Sequence, residues 1–174
     1  KLDGASFMSQ DAYGHLCTVT GATWGIQGRT LKGTSDWISI PTITLAHGTP
    51  WAIAWWMYPQ VDTSSNTVIG EATVTARFEH RTADSLSYYN TAGFVGTITL
   101  GSNILNRWIF MVAGSNVATL TLYEDMVSRG TWSPASVDMT ITGIGRGNAG
   151  TNYGQGIYGE FIVYNNRVLT LADG

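Results

Sequence analysis

The sequence predicts an all-β protein built as an antiparallel β-sandwich, and three observations support this prediction. Apolar and polar residues alternate with a period of two along most of the chain, which is typical of strands with one face on a core. Short runs rich in Val, Ile, Thr and aromatic residues are separated, about every ten residues, by clusters of Gly, Asn, Ser, Thr and Asp. Helical periodicity is missing, apart from a turn expected at 103–106 and a helix start expected at Thr170.

The apolar runs delimit the predicted strands. They lie near Leu31–Gly33, Trp37–Ile40, Trp51–Tyr58, Thr67–Gly70, Val74–Arg81, Leu86–Asn90, Gly96–Leu100, Trp108–Ala113, Ala118–Glu124, Thr140–Gly145 and Gly156–Asn165. Because no Pro- or Ser-rich linker interrupts them, residues 1–174 are expected to form a single domain. We expect this domain to be one piece of a longer protein, tethered to other domains.

The stretch PWAIAWWMYP (Pro50–Pro59) indicates how the strands should be oriented. Successive side chains of a strand point to opposite faces, so Trp55 and Trp56 cannot enter the same core. The set that includes Trp55 is uniformly large and apolar and should face the other sheet, whereas Trp56 and Tyr58 should lie on an outer face. The predicted interior comprises Trp51, Ile53, Trp55, Met57, Trp108, Phe110, Val112, Leu120, Leu122, Ile157, Phe161 and Val163.

Composition and charge exclude several classes of partner. The formal net charge is −3, and charged residues make up only 12% of the chain with no basic run, so neither nucleic acid nor an anionic membrane surface is an expected partner. No apolar run approaches the roughly 18 residues that a membrane-spanning helix needs, so membrane insertion is not expected either. Cys17 is the single cysteine, which rules out a disulfide within the chain and predicts a small buried apolar side chain.

Sequence patterns that carry common enzyme chemistry are missing. The stretch Gly145–Gly150 (GRGNAG) matches the glycine pattern of dinucleotide sites, but a polar loop and a strand follow it where such a site needs a helix, so it predicts a hairpin loop. Glu71, Glu79 and Glu160 stand apart, rather than in the E-x-D-x-x-E spacing with which β-sandwich glucanases place acids on one face. The G-x-S-x-G pattern is absent and the histidines are scattered. The chain is therefore not expected to be an enzyme.

Several segments, in order, carry a family resemblance. They are GRTLKGTSDWISIP (28–41), PWAIAWWMYP (50–59), LNRWIFMVAG with ATLTLYED (105–125), GIG (143–145) and GIYGEFIVYNNRVLT (156–170). Together they resemble the laminin-G-like and pentraxin-like branch of the concanavalin A-like jelly rolls. The opening DAYGHLCTVTGATWGIQGR (11–29) looks like the start of laminin-G-like domains from phage and environmental sequences. The resemblance implies a jelly roll that works outside the cell or on a virion surface.

The resemblance also implies one structural calcium ion at a sheet rim, where oxygen ligands would hold it. Asp36 and Glu160 match the positions expected of the ligands, and Asp11 and Asp125 are further candidates. The chain departs from the family pattern at Lys32, where an Asp is common, and at Met126, where a turn glycine is common. The alternative is that Asp36 caps its own turn and Glu160 faces solvent.

The outer-face aromatic residues suggest a sugar-binding surface. Pyranose rings expose C–H faces that stack on aromatic rings, and Trp56 and Tyr58 stand two apart on one face of a strand. Polar side chains on the following strands would satisfy the sugar hydroxyls: Arg77, Glu79, Arg81, Tyr88 and Asn90. The alternative is that loops cover this face and enclose Trp56 in a second small core.

The sequence therefore predicts a non-catalytic carbohydrate-binding or adhesion module that recognises surface or extracellular glycans. The alternative is a structural domain that decorates a virion or mediates protein contacts without a sugar site. Exposure of Trp56 and Tyr58 would favour the first, and complete burial would favour the second.

Overall fold

The structure is a computed structural model that describes residues 6–10, 14–62, 66–71, 76–133, 137–147 and 152–167. Thr170, Asp11 and the start of the strand predicted at Val74 lie outside these residues. The described strands are β1 (Ser6–Met8), β2 (Leu16–Thr20), β3 (Thr23–Gly25), β4 (Gly28–Lys32), β5 (Trp37–Leu45), β6 (Trp51–Pro59), β7 (Asn66–Gly70), β8 (Arg77–Thr82), β9 (Ser85–Asn90), β10 (Gly93–Thr99), β11 (Ile109–Ser115), β12 (Leu120–Glu124), β13 (Val127–Trp132), β14 (Met139–Ile144), β15 (Arg146–Gly147), β16 (Asn152–Tyr153) and β17 (Gln155–Asn165).

The strands form two large antiparallel sheets that pack face to face. Sheet A has the order β1-β2-β5-β14-β7-β8-β9-β10, and sheet B has the order β13-β12-β11-β6-β17-β4-β3. No helix occurs among the described residues, so the predicted all-β antiparallel sandwich is confirmed. The same part of the chain contains no helix long and apolar enough to cross a membrane.

The space between the sheets is filled by one side of each strand, as the alternation predicts. Trp55 of β6 is 0% exposed, and its ring centroid lies 5.9 Å from that of Phe78 on sheet A and 6.4 Å from that of Phe161 on β17. The other residues predicted on this side of β6, and the predicted Leu120 and Leu122 of β12, are also buried. Sheet B therefore meets sheet A through the face of β6 that carries Trp55.

Strands β11 and β17 correct the predicted interior. Phe110 pairs with Trp56, so it lies on the outer face of sheet B, while Ile109 and Met111 are 0% exposed and face the core. Trp108 and Val112 share the side of Phe110, which places them on the outer face as well. Both sides of this strand are apolar, so the sequence alone did not decide which one faces the core.

In β17 an irregularity reverses the alternation. Ile157 pairs with Tyr58 on the outer face, whereas Phe161 pairs with Trp55 on the inner face, because the register shifts between Tyr158 and Phe161. The prediction that Ile157 shares a face with Phe161 was therefore wrong. A bulge inserts one residue and moves all following side chains to the other side.

Two smaller predictions are confirmed. Cys17 is a buried free cysteine, 4% exposed, and belongs to the core cluster. Strands β15 and β16, on either side of residues 148–151, pair in antiparallel fashion as the predicted hairpin requires, while residues 148–151 themselves lie outside the described residues.

Candidate functional site

The outer face of sheet B carries an aromatic strip formed by Trp56, Tyr58, Trp108 and Phe110. Trp56 is 42% exposed and its ring centroid lies 5.1 Å from that of Phe110, its cross-strand partner. The ring centroids of Tyr58 and Trp108 are 5.7 Å apart. Tyr58, Trp108 and Phe110 are half-buried, so the rings support one another and still face solvent.

A bulge in β17 brings a carboxylate to one side of the aromatic strip. Gly159 and Glu160 lie between the residues that pair with Met57 and Trp55, so both stand opposite Trp56. Glu160 is exposed. A Cβ at Gly159 would lie 3.1 Å from the Cβ of Trp56, tighter than most real contacts, so glycine lets the bulge approach the tryptophan closely. Glu160 is thus a hydrogen-bond acceptor beside an exposed ring.

The opposite side of the aromatic strip carries a second charged group. Asp125 Oδ1 accepts a hydrogen bond from the Phe110 backbone N at 2.9 Å, and Asp125 Oδ2 lies 3.3 Å from Nη1 of Arg107. The side chains of Arg107 and Asp125 are 37% and 47% exposed. The strip is therefore flanked by polar groups on both sides, while its centre is aromatic.

The predicted polar complement of Trp56 lies on the other side of the molecule. Arg77 and Glu79 flank Phe78, whose ring faces the core, so they are on the outer face of sheet A. Arg77 Nε donates to Glu79 Oε2 at 2.6 Å, and both residues are buried. The structure therefore brings Trp56 together with Tyr58, but it does not bring either of them together with Arg77 or Glu79.

Two more predicted site residues lie on the inner side of sheet A. Tyr88 is 2% exposed and stacks on Phe78 with ring centroids 5.0 Å apart. Burial raises the pKa of the Tyr88 hydroxyl to about 12, because the charged phenolate loses its water. Asn90 is 2% exposed, and its side-chain oxygen accepts a hydrogen bond from the Ala92 backbone N at 2.8 Å, which fits a turn role.

Trp108, Phe110 and Tyr89 are surface aromatic residues that the sequence did not predict as site residues, and Trp108 and Phe110 were predicted in the interior instead. No sequence signal separated the two apolar sides of β11. For Tyr89 a signal existed, because Leu86 shares the side of Tyr88 and marks it as the core side of β9. Tyr89 lies on the outer face with Arg77, whose guanidinium carbon is 3.7 Å from its ring centroid.

The residues predicted to hold calcium stand in separate environments. Asp36 is 4% exposed, and its Oδ2 accepts a hydrogen bond from the Lys32 backbone N at 3.0 Å, which is the capping role of the alternative. Glu160 stands beside the aromatic strip. Among the described residues, no three His, Cys, Asp or Glu side chains cluster in a way that could hold a metal ion. Calcium therefore stays a prediction from the family resemblance, and the described part of the chain offers no set of side-chain ligands for it.

One exposed pair has the composition of a catalytic dyad. His47 Nδ1 lies 3.1 Å from Asp138 Oδ1, and the side chains are 52% and 49% exposed. Hydrogen bonds from the backbone and ring of His47 lower the pKa of the Asp138 carboxyl. The pair joins two loops at the surface, and none of its described contacts is a nucleophilic hydroxyl or thiol.

Comparisons with known proteins identify relatives of the fold. No protein-family model and no curated protein sequence matches this chain. A mutant Trypanosoma rangeli sialidase displaying trans-sialidase activity matches with a TM-score of 0.68 at 12% identity, over 97% of this chain and 31% of the sialidase. The binding domain of botulinum neurotoxin DC, in complex with SialylT, matches with a TM-score of 0.67 at 12% identity, over 99% of this chain and 50% of that one.

A third similar structure is domain 4 of AbnA, a GH43 extracellular arabinanase from Geobacillus stearothermophilus, in complex with arabinotriose. It matches with a TM-score of 0.56 at 13% identity, over 98% of this chain and 79% of that chain. At these identities the likeness establishes the fold alone. The chain spans about a third of the sialidase and half of the toxin domain.

Proposed function

We propose that this chain is a non-catalytic carbohydrate-binding module of the laminin-G-like type that recognises extracellular or surface glycans. It acts as one part of a longer protein, outside the cell or on a virion. The aromatic strip is the binding surface, and Trp56 is its central residue.

A single observation carries this proposal, namely that Trp56 is 42% exposed on top of a row of aromatic side chains. Single exposed apolar side chains are common, but Trp56 belongs to a contiguous row of rings, and such patches mark binding surfaces. Stacking a sugar ring on the indole would remove apolar surface from water on both partners. Neither loops nor strands among the described residues bury Trp56, which was the alternative expectation.

The neighbours of Trp56 suit a sugar better than a purely apolar ligand. Glu160 stands opposite Trp56 across the strand pair and is exposed, so its carboxylate can accept hydrogen bonds from hydroxyls. Positions two apart on a strand are about 7 Å apart, so Trp56 and Tyr58 offer successive rings along a chain of sugars. A few placed polar groups around aromatic surface are typical of ligand sites that fix orientation.

The fold relatives support the proposal without deciding it. The neurotoxin binding domain was solved in complex with SialylT and the arabinanase domain in complex with arabinotriose, and this chain matches 50% of the first and 79% of the second. The sialidase relative is an enzyme, and this chain covers 31% of it. We place the present chain with the binding domains because its aromatic strip offers a stacking surface, and strands β6 and β11 separate the two carboxylates that flank it, Glu160 and Asp125.

A glycan array tests the proposal, with the wild type and two tryptophan variants probed in calcium and in chelator. Trp56→Ala should abolish glycan retention. Trp24→Ala is the matched control, because Trp24 is 47% exposed on β3, outside the aromatic strip, and should bind as the wild type does. Equal loss in both variants, or no glycan bound by a folded wild type, would contradict the proposal.

The second candidate function is a protein-interaction or virion-decoration domain. It is favoured by exposed apolar side chains at the edge of sheet A, where Met8 on the edge strand β1 is 54% exposed and its cross-strand neighbour Leu16 on β2 is 59% exposed. Unpaired strand edges with apolar side chains are sites at which other chains add. Retention of a protein partner by Trp56→Ala and its loss on Leu16→Ser would favour this function over glycan binding.

A further inference from the structure

We propose that the outer face of sheet A carries a second binding site, built by Arg81, Tyr89 and Phe94, for a sugar ring that bears a carboxylate. This site is separate from the aromatic strip, because the two lie on opposite outer faces of the sandwich. It goes beyond the proposed function, which needs only the aromatic strip on sheet B.

Arg81 is held in place but remains accessible. Its Nη1 donates a hydrogen bond to the Tyr89 hydroxyl at 2.7 Å, and its side chain is 37% exposed. A guanidinium that is already oriented loses less conformational freedom when it binds a ligand. Its fork of N–H donors matches the geometry of a carboxylate, which makes this anion the natural partner.

The charge of Arg81 is only weakly compensated within the protein. Glu79 is 1% exposed and is shared between two arginines: its Oε2 lies 2.6 Å from Arg77 Nε, whereas its Oε1 lies 3.8 Å from Arg81 Nε. Glu79 therefore forms its close ion pair with the buried Arg77 and only a distant one with Arg81. A ligand carboxylate could therefore approach Arg81 from solvent without displacing a tight ion pair.

An exposed aromatic ring stands next to this cation. Phe94 lies opposite Tyr89 on the edge strand β10, with ring centroids 5.2 Å apart, and it is 59% exposed. Tyr89 is fixed from below by Arg77, whose guanidinium carbon is 3.7 Å from the ring centroid. Tyr89 thus contacts the cationic Arg81 through its hydroxyl and the apolar ring of Phe94 through its own ring, and both neighbours face solvent.

This combination selects one chemical class of ligand. A sugar that carries a carboxylate on or next to its ring, such as a uronic or sialic acid, presents an anion and a C–H face within one residue. The anion would pair with Arg81 and the C–H face would lie on Phe94. A neutral sugar would gain only the Phe94 contact and should bind much more weakly.

Isothermal titration calorimetry at low ionic strength tests the proposal on the full chain. The probes are trigalacturonate and 3′-sialyllactose, with galactotriose and lactose as their neutral matches and galactose 6-sulfate as a non-carboxylate anion. At least one carboxylated sugar should bind at least tenfold more tightly than its neutral match. Arg81→Gln and Phe94→Ala should each weaken that binding tenfold or more, whereas Arg81→Lys should retain part of it.

Trp24→Ala, which lies outside both sites, should leave binding of the carboxylated sugar unchanged. The same titrations on Trp56→Ala remove any contribution of the aromatic strip, and the preference for the carboxylated sugar over its neutral match should persist in that variant. If Arg81→Gln does not fold, Phe94→Ala decides, because Phe94 is an exposed residue on an edge strand. The proposal is overturned if neither carboxylated sugar binds, if the neutral match or galactose 6-sulfate binds equally well, or if the folded variants bind like the wild type.

Discussion

Trp55 and Trp56 are neighbours in the chain and sit in opposite surroundings. Trp55 is 0% exposed, and its indole Nε1 donates to the Met57 sulfur at 3.2 Å. Trp56 is 42% exposed and rests on Phe110. Because the two residues have the same side chain, the difference in their exposure reflects position alone. Trp55 should therefore stabilise the fold, whereas Trp56 should bind a ligand.

Sheet A shows that an outer face is not always a surface. Arg77 and Glu79 point away from the core, as Trp56 does, but they are 5% and 1% exposed. Neighbouring side chains pack against them: the Tyr89 ring centroid lies 3.7 Å from the guanidinium carbon of Arg77, and Arg81 donates a hydrogen bond to the Tyr89 hydroxyl. Burial, rather than the side of the sheet, decides whether a residue contributes to stability.

The largest effect is expected at Trp55. Trp55→Ala should lower the free energy of unfolding by about 3–5 kcal/mol, because it removes a fully buried aromatic side chain and leaves a cavity between the sheets. Denaturant unfolding measured against the wild type checks this. A loss of less than about 1 kcal/mol would mean that Trp55 is not central to the core.

A smaller but still large effect is expected on the outer face of sheet A. Glu79→Gln should lower the free energy of unfolding by about 3 kcal/mol, because it removes the carboxylate that lies 2.6 Å from the buried Nε of Arg77. Thermal or denaturant unfolding of the variant measures the loss, with Asp84→Asn at an exposed turn as the control. If the two variants are equally stable, the buried ion pair does not contribute as its burial implies.

His80 predicts a dependence of stability on pH. His80 is 1% exposed, and burial lowers its pKa from the ordinary 6.5, with the Thr82 backbone and the charge of Asp62 opposing the shift. The unfolded chain therefore binds a proton at a higher pH than the folded one. The contribution of neutral, buried His80 to the free energy of unfolding is therefore complete above about pH 6.5. It is lost as the pH falls, by at most about 1.4 kcal/mol per pH unit.

The test for His80 is unfolding at several pH values for the wild type and His80→Gln. The difference between the two proteins should change below about pH 6.5 and be constant above it. A difference that stays constant across the acidic range would show that His80 does not titrate differently in the folded state.

The smallest effect on stability is expected at Trp56. Trp56→Ala should change the free energy of unfolding by about 1 kcal/mol or less, as for other substitutions at exposed positions. Its contact with Phe110 sets the upper end of this range, since aromatic pairs contribute about 0.5–1.5 kcal/mol. A loss as large as that of Trp55→Ala would show that Trp56 is a structural residue and that the binding site lies elsewhere.

The fold could be predicted from the sequence because the alternation is unambiguous wherever one side of a strand is polar or small. Strand β6 is the clearest case, since the large set with Trp55 and the mixed set with Trp56 can be told apart. Strand β11 could not be oriented in this way, because Phe110 and Met111 are both apolar and either could face the core.

The site was only partly predictable, for two physical reasons. The outer-face positions of Trp56 and Tyr58 can be predicted from strand periodicity alone. Which other strands lie beside them depends on how distant segments of the chain pair. The bulge that brings Glu160 opposite Trp56 depends on the register of β17, which a single sequence does not display. Arg77 and Glu79 are polar residues suited to binding sugar hydroxyls, but they lie on sheet A, whereas Trp56 lies on sheet B.

The most direct measurement of the central claim follows the indole N–H signals of the tryptophans by nuclear magnetic resonance while a glycan from the array is added. The Trp56 signal should shift with ligand concentration and give the same dissociation constant as calorimetry. The Trp55 signal, fixed by its bond to Met57, and the Trp24 signal should stay in place. Binding of the glycan with an unchanged Trp56 signal would contradict the account.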